Sequence, residues 1–424
     1  MQILIKPQTV LIDEKVDIRL TGLIPNQLVT LRAKMNEMPG AVYEAESYAT
    51  YLVDGSGEIK LDRDAPISGS YSGVDSMGLF WSMEIKKIGY NMTRKLDELI
   101  FEPKSSEIAL TVEIDDKIVG QAILHRNFVS SDVEILDVME SGIVGKYFSP
   151  KMPGPAPGII VLGGGEGGLG SQMNYAALLA SNGFPTLALA YFKFEHLPEQ
   201  LQEIPLEYFQ SAIDWLQKRD EVDANKIGLF GRSKGAELSL ILGGTYSQIK
   251  AVVASSPSST VCIGNFKQVT EYEFETYSSW SYQGSPLPYV KWTNEQCLEA
   301  HWKLKNGIRI DGIHKTSLEQ CDKLGDVAIP IENIAGPIMI ITSSDDHWWP
   351  SGIYGEKIKD RLVENKFPHH FEHLHYGDTG HMIRYPYIPT TQLKMNGGTA
   401  ENNAHASSDS WTRIKQFFKK SLLS

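Results

Sequence analysis

Residues 227–240 read Ile-Gly-Leu-Phe-Gly-Arg-Ser-Lys-Gly-Ala-Glu-Leu-Ser-Leu: an apolar strand, a Gly-x-Ser-x-Gly turn and an amphipathic helix, in that order. A serine hydroxyl is a weak nucleophile unless a sharp turn exposes it and a base takes its proton. Gly231 and Gly235 lack the Cβ atoms that would collide where strand and helix run close. The turn alone recurs by chance. The strand before it and the helix after it make Ser233 a candidate nucleophile.

The base must be a histidine held in one tautomer by a carboxylate. In α/β-hydrolases the partners follow in the order Ser, Asp/Glu, His, each in a loop at the carboxyl end of a strand. The apolar run 338–342 leads into Ser343-Ser-Asp-Asp-His-Trp-Trp-Pro, and residues 371–376 lead into Gly377-Asp-Thr-Gly-His-Met. With Thr342 ending its strand, the loop position expected of the acid falls on Asp346. Asp345 is the alternative, and otherwise faces solvent or caps the next helix. His381 is the candidate base. Its rival is His347, beside the aspartates but ahead of the acid's own helix. His373 and His375 alternate along one strand and read as structural, while His369 and His370 follow a proline and read as exposed. Strand geometry spreads these rings and no Glu or Cys set joins them, so no metal site is expected.

An oxyanion also needs donors. Gly163-Gly-Gly-Glu-Gly-Gly follows the first apolar strand of this half, and bare glycines let N–H groups point into a pocket. The expected donors are the N–H groups of Gly164 or Gly165 and of Lys234, directly after the nucleophile. A phosphate-binding reading is weaker, because no Gly-Lys-Ser/Thr follows.

These residues require a particular scaffold. Runs such as Ile159-Ile-Val-Leu, Thr186-Leu-Ala-Leu-Ala, Ala251-Val-Val-Ala and Ile338-Met-Ile-Ile-Thr are unbroken, as strands covered on both faces must be. Helical spacing over residues 173–181, 206–219 and 236–242 lies between them. The pattern predicts an α/β domain over residues 136–424 with a mostly parallel sheet. Residues 1–135 differ: Val16-Asp-Ile-Arg-Leu-Thr, Leu28-Val-Thr-Leu-Arg-Ala and Ile108-Ala-Leu-Thr-Val-Glu-Ile alternate with period two between turns such as Asp54-Gly-Ser-Gly. They predict an antiparallel β-sandwich. The Pro/Gly-rich stretch from Lys151 reads as a rigid surface turn leading into a new sheet. Residues 266–330, with Tyr272, Phe274, Tyr277, Trp280, Tyr282, Tyr289, Trp292 and Trp302 among polar residues, fit neither pattern. They either fold over the site or form a peripheral insertion.

Composition excludes several classes. A formal net charge of −12 with no Lys/Arg run argues against nucleic-acid binding. No apolar stretch reaches the roughly 18 residues of a membrane span. Cys262, Cys297 and Cys321 show no CxxC spacing and suggest free thiols in a reducing compartment. No signal peptide or peroxisomal address is read at the ends, so a cytoplasmic location is expected. Oligomeric state is not legible.

Several stretches together resemble the family of acyl-CoA thioesterases and bile acid-CoA:amino acid N-acyltransferases. They are Asp13-Glu-Lys-Val-Asp-Ile-Arg-Leu-Thr-Gly-Leu, Gly73-Val-Asp-Ser-Met-Gly-Leu-Phe-Trp-Ser-Met, Ser233-Lys-Gly-Ala-Glu-Leu, Asp345-Asp-His and Thr379-Gly-His-Met-Ile-x-x-Pro-Tyr. The resemblance covers nearly the whole chain. It implies an immunoglobulin-like β-sandwich preceding an α/β-hydrolase domain, with Ser233 as nucleophile, Asp346 as acid and His381 as base. It implies an acyl-CoA substrate, cleaved to free acid and coenzyme A with no metal or other cofactor. The acyltransferase branch is similar but carries cysteine at the nucleophile position, so serine favours hydrolysis. The alternatives are transfer to an amino acid, a carboxylesterase or peptidase using the same residues, and, last, a non-catalytic acyl-binding protein.

Overall fold

Strands apolar on both faces must be covered on both faces, and that requirement builds the larger unit. The computed structural model describes residues 1–35, 43–88, 103, 105–391 and 396–423. Among these, eight strands form one sheet: β1 (Val133–Glu140), β2 (Ile143–Pro150), β3 (Ala156–Leu162), β4 (Thr186–Ala190), β5 (Val222–Arg232), β6 (Ile249–Ser255), β7 (Ile338–Ser343) and β8 (Phe371–Tyr376). Their order is β1-β2-β4-β3-β5-β6-β7-β8. From β4 to β8 every pairing is parallel, so the loops after β3, β5, β7 and β8 open on one edge of the sheet. That edge receives the glycine run, Ser233, the Asp345–Asp346 pair and His381.

Helices α1 (Gly170–Ser181), α2 (Leu206–Gln217) and α3 (Lys234–Thr245) match the three helical spacings. The last is buried at nearly every position rather than amphipathic. The core joins Ile160, Leu189, Leu229, Val252 and Ile340 of the strands to Phe209, Ile213, Leu238 and Leu242 of the helices.

Two strands depart from expectation. The apolar runs that read as strands of this sheet begin at Ile159, yet β1 and β2 already pair antiparallel at the sheet edge. The outermost, β1, exposes most of its residues and carries Glu134, Asp137 and Glu140. Charged residues suit an edge that must not pair with another chain, and they erase the apolar run that reveals inner strands.

The aromatic-rich segment is itself folded. Ile263–Gln268 pairs with Phe274–Ser278, and Trp280–Tyr282 pairs in parallel with Ile204–Pro205. Helices α4 (Asn294–Lys305) and α5 (Asp311–Glu319) follow, with Trp292, Cys297, Ala300, Ile310 and Ile313 in a small core of their own. After β7 the chain enters α6 (Ser351–Glu364).

The smaller unit comprises Met1–Ser131 with Arg384–Lys394 and Thr399–Ser408. Among its described residues, Gln2–Lys6, Asp17–Thr21 and Ile59–Lys60 form one sheet. The second runs in the order Thr9–Leu11, Lys117–Asn127, Ser106–Ile114, Leu28–Met35, Tyr43–Leu52, Ser68–Gly69, with Glu84–Ile88 also on Tyr43–Leu52. Along Leu28–Met35 every second residue is buried, which places Val29, Leu31 and Ala33 in a core shared with Ile18, Leu20 and Ile59 of the other sheet. That is the sandwich its period-two pattern predicts. Residues 384–391 join this unit through contacts distant in sequence. Thr390 N–H donates to Trp81 O at 3.0 Å, and Tyr385 stacks edge-on against Phe128 at 5.4 Å. Among the described residues no helix is long and apolar enough to cross a membrane.

Candidate active site

The sharp turn after β5 is a matter of missing Cβ atoms. A Cβ on Gly231 would land on the Gly235 carbonyl, and one on Gly235 would land on the carbonyls of Leu162 and Gly163. Ser233 between them takes φ 57°, ψ −121°, a conformation side chains rarely adopt. Ser233 N–H donates to Ser255 O at 2.8 Å, and Ser233 O receives the N–H groups of Ala236 and Glu237 at 2.9 and 3.1 Å. Backbone bonds on both sides therefore hold the strained residue. Alanine at Gly231 forces backbone atoms apart, and should destabilise the larger unit by at least ~3 kcal/mol, the upper end for overpacking. Chemical denaturation followed by tryptophan fluorescence checks this; a wild-type midpoint would show that the turn is not tight.

The structure brings Ser233, His381 and Asp346 together. His381 Nε2 lies 2.9 Å from Ser233 Oγ, and His381 Nδ1 lies 2.8 Å from Asp346 Oδ2. Asp346 and His381 are both buried. Asp346 Oδ1 accepts the N–H groups of Trp348 and Trp349 at 2.9 and 3.2 Å. With Nδ1–H directed at the carboxylate, Nε2 is left as the acceptor that faces the hydroxyl. The imidazole backbone is pinned as well: His381 N–H donates to Asn396 O at 2.7 Å, and Ser256 Oγ–H donates to His381 O at 3.0 Å. Two indoles flank the ring, Trp348 at 6.2 Å and Trp349 at 6.0 Å between centroids.

The other candidates lie elsewhere. Asp345 accepts Gly398 N–H at 2.8 Å, and its Oδ1 is 3.1 Å from His347 Nε2 and 3.3 Å from Arg309 Nη1. Partial burial pushes its carboxyl up, but the Gly398 N–H, His347 and Arg309 outweigh this and hold it below its ordinary value. It braces the loop rather than capping α6, and it engages His347. His373 Nε2 and His375 Nδ1 meet on Thr342 Oγ1 at 2.8 and 2.9 Å, and His369 and His370 are exposed.

The glycine run lies against Ser233. A Cβ on Gly164 would come within 3.2 Å of Ser233 Cβ, and one on Gly165 within 3.8 Å of Lys234 Cγ. Tyr191 Oη–H donates to Gly163 O at 2.6 Å, and Arg232 Nη2 donates to Glu166 Oε1 at 2.9 Å. Arg232, directly before Ser233, thus ties down the loop that faces it.

Two features escape a reading of motifs. Lys234 presents more than a backbone N–H: its buried ammonium donates to both Glu237 oxygens at 3.2 and 3.1 Å, to Cys262 O at 3.1 Å and to Ser279 Oγ at 2.8 Å. Glu237 is fully buried and also accepts Trp280 Nε1–H at 2.8 Å. Burial pushes its carboxyl up, against the pull of Lys234 and the indole. A lysine and a glutamate three apart in an otherwise apolar helix are the available signal, since buried charges must pair. The second feature is His314 of α5, wedged between Trp292 at 4.8 Å and Trp349 at 5.7 Å. Burial, with Lys234 and His381 acting in the same direction, lowers its pKa to about 3, so the ring is neutral near pH 7. Through Ser279 and His314 the aromatic-rich segment reaches the site.

A family model described as BAAT / acyl-CoA thioester hydrolase C terminal matches residues 204–424, and one described as acyl-CoA thioester hydrolase/BAAT N-terminal region matches residues 13–140. The mitochondrial acyl-coenzyme A thioesterase 2 of Mus musculus is 32% identical, covering 97% of this chain and 87% of that protein. The bile acid-CoA:amino acid N-acyltransferase of the same organism is 30% identical, covering 98% and 97%. A solved dienelactone hydrolase-like promiscuous phosphotriesterase from metagenomic libraries is similar over 68% of this chain and 98% of its own, at 17% identity and TM-score 0.41. With both family models matched in chain order and full-length relatives at this identity, the chain belongs to the BAAT / acyl-CoA thioester hydrolase family.

Proposed function

We propose that this chain hydrolyses acyl-coenzyme A thioesters to free acid and coenzyme A through an acyl-serine. The observation that carries the reading is the hydrogen-bonded sequence Ser233–His381–Asp346, in a chain whose full-length relatives include acyl-coenzyme A thioesterases. His381 takes the Oγ proton as Ser233 attacks the thioester carbonyl, and Asp346 stabilises the imidazolium that forms. The N–H groups of Lys234 and of Gly164 or Gly165 hold the oxyanion. His381 returns the proton to the departing sulfur, leaving the acyl group on Oγ. Water then attacks the ester with His381 again as base, and Ser233 regains its proton. No metal or redox group takes part in this scheme. A cytoplasmic site of action goes with the reading, because three free cysteines suit a reducing compartment.

A second outcome is transfer of the acyl group to an amine, as the name of one relative states for that protein. The nucleophile favours water: an oxygen ester is less activated toward amines than a thioester. Incubation with saturated, branched and aromatic acyl-coenzyme A, with and without glycine or taurine, is expected to release thiol and free acid in equal amounts, with the amine changing neither. A conjugate as the main product would replace hydrolysis by transfer. Aryl ester and short-peptide cleavage without thioester cleavage would replace it by an esterase or peptidase.

A further inference from the structure

In the reaction proposed above, the departing sulfur receives its proton from His381 Nε2, so it must lie against that face of the ring. The two indoles beside the ring differ. Trp349 is 4% exposed, donates its Nε1–H to Ser256 O at 3.0 Å and backs onto His314. That flank is closed. Trp348 is 38% exposed although its centroid is 6.2 Å from that of His381. Its Nε1–H donates to Asn396 Oδ1 at 2.6 Å, and its backbone N–H donates to Asp346 Oδ1 at 2.9 Å. The loop beneath it is braced by Asp345 on Gly398 and Arg309. An indole open to solvent yet fixed at both ends loses little freedom when a ligand covers it.

A thiol as long as coenzyme A cannot be enclosed beside the histidine, and its arm must leave along the open flank. We propose that the exposed face of Trp348 is a leaving-group subsite, taking the mercaptoethylamide end of a pantetheine-type thiol. The flat apolar ring stacks on the first amide beyond sulfur, binding the arm without a charged partner. The inference rests on the thioesterase reading and adds where the thiol arm lies.

One acyl group is presented as its coenzyme A, N-acetylcysteamine and ethanethiol thioesters to wild type, Trp348→Ala and Trp348→Phe. The alanine variant should lower kcat/KM for the first two by about 10- to 100-fold, mostly through KM, the scale of losing one aromatic wall. The ethanethiol thioester has no amide arm and should fall by no more than about 3-fold, while phenylalanine should recover most of the loss. If the alanine form folds poorly, Trp348→Leu supplies the same contrast, keeping bulk without a flat face. An equal loss on all three thioesters would overturn the subsite and leave Trp348 as a support for His381. No loss on the N-acetylcysteamine thioester would overturn it too. Wild type that cleaves the ethanethiol but not the coenzyme A thioester would instead defeat the thioesterase reading.

Discussion

Alanine at Ser233 is expected to lower kcat for thioester hydrolysis on the order of 10⁶-fold. In the proposed reaction Ser233 supplies the attacking oxygen, whose proton passes to His381 Nε2 at 2.9 Å. What remains is the contribution of binding and of the oxyanion donors to attack by water, the usual residue when a nucleophile is removed. Folding should survive. The backbone bonds from Ser233 N–H to Ser255 O and from Ala236 N–H to Ser233 O do not involve the hydroxyl. Thiol release measures the rate, and intact mass after rapid mixing shows whether an acyl adduct forms on wild type and disappears in the variant. Activity above ~1% of wild type in a well-folded Ser233→Ala protein would remove Ser233 from the chemistry.

The second large effect separates two adjacent aspartates. Asp346→Asn should lower kcat by about 10⁴-fold, because an amide can offer its N–H to Nδ1 and turn the imidazole into the wrong tautomer. The two loop N–H groups on Asp346 Oδ1 should still be satisfied by the amide oxygen, so the loss falls on chemistry rather than on folding. Asp345→Asn should change kcat by less than about 10-fold, since a neutral amide oxygen still accepts Gly398 N–H. Its loss falls mainly on stability, of about 1 kcal/mol, as the pairings with Arg309 and His347 weaken. Comparing kcat and unfolding midpoints for both variants decides the matter. The reverse ranking would move the acid to Asp345.

How much of this was legible depends on whether the relevant physics is local. The Ser233 turn is local, since strand, two glycines and helix stand within fourteen residues, and its geometry follows from atoms that are absent. The inner strands are legible because burial on both faces leaves only one kind of side chain. Asp346 and His381 follow from chain order and loop position. The choice between Asp345 and Asp346 was harder, because neighbours in a loop point in directions set by a turn that no pattern encodes. The β1 strand interrupts its apolar residues with Glu134, Asp137 and Glu140 where its edge meets solvent, and so shows no unbroken apolar run. Residues 384–391 join the smaller unit through partners some three hundred positions away, such as Trp81, and no window along the sequence contains both. His314 and the paired tryptophans are likewise assembled only by the fold. A histidine in a polar helix does not announce that it will be buried between indoles.

The Lys234–Glu237 pair restricts how this chain can change. Replacing either residue alone strands the other charge in the interior, at roughly 3–5 kcal/mol, so each single step passes through a damaged protein. A neutral pair could serve if both positions changed together, with Ser279, Trp280 and the Cys262 carbonyl finding new partners at once. Random single-base mutation seldom makes such a joint move. Laboratory selection for a new acyl preference should therefore alter the aromatic segment around this interlock sooner than the interlock itself, and a library meant to cross that barrier has to randomise both positions in one clone.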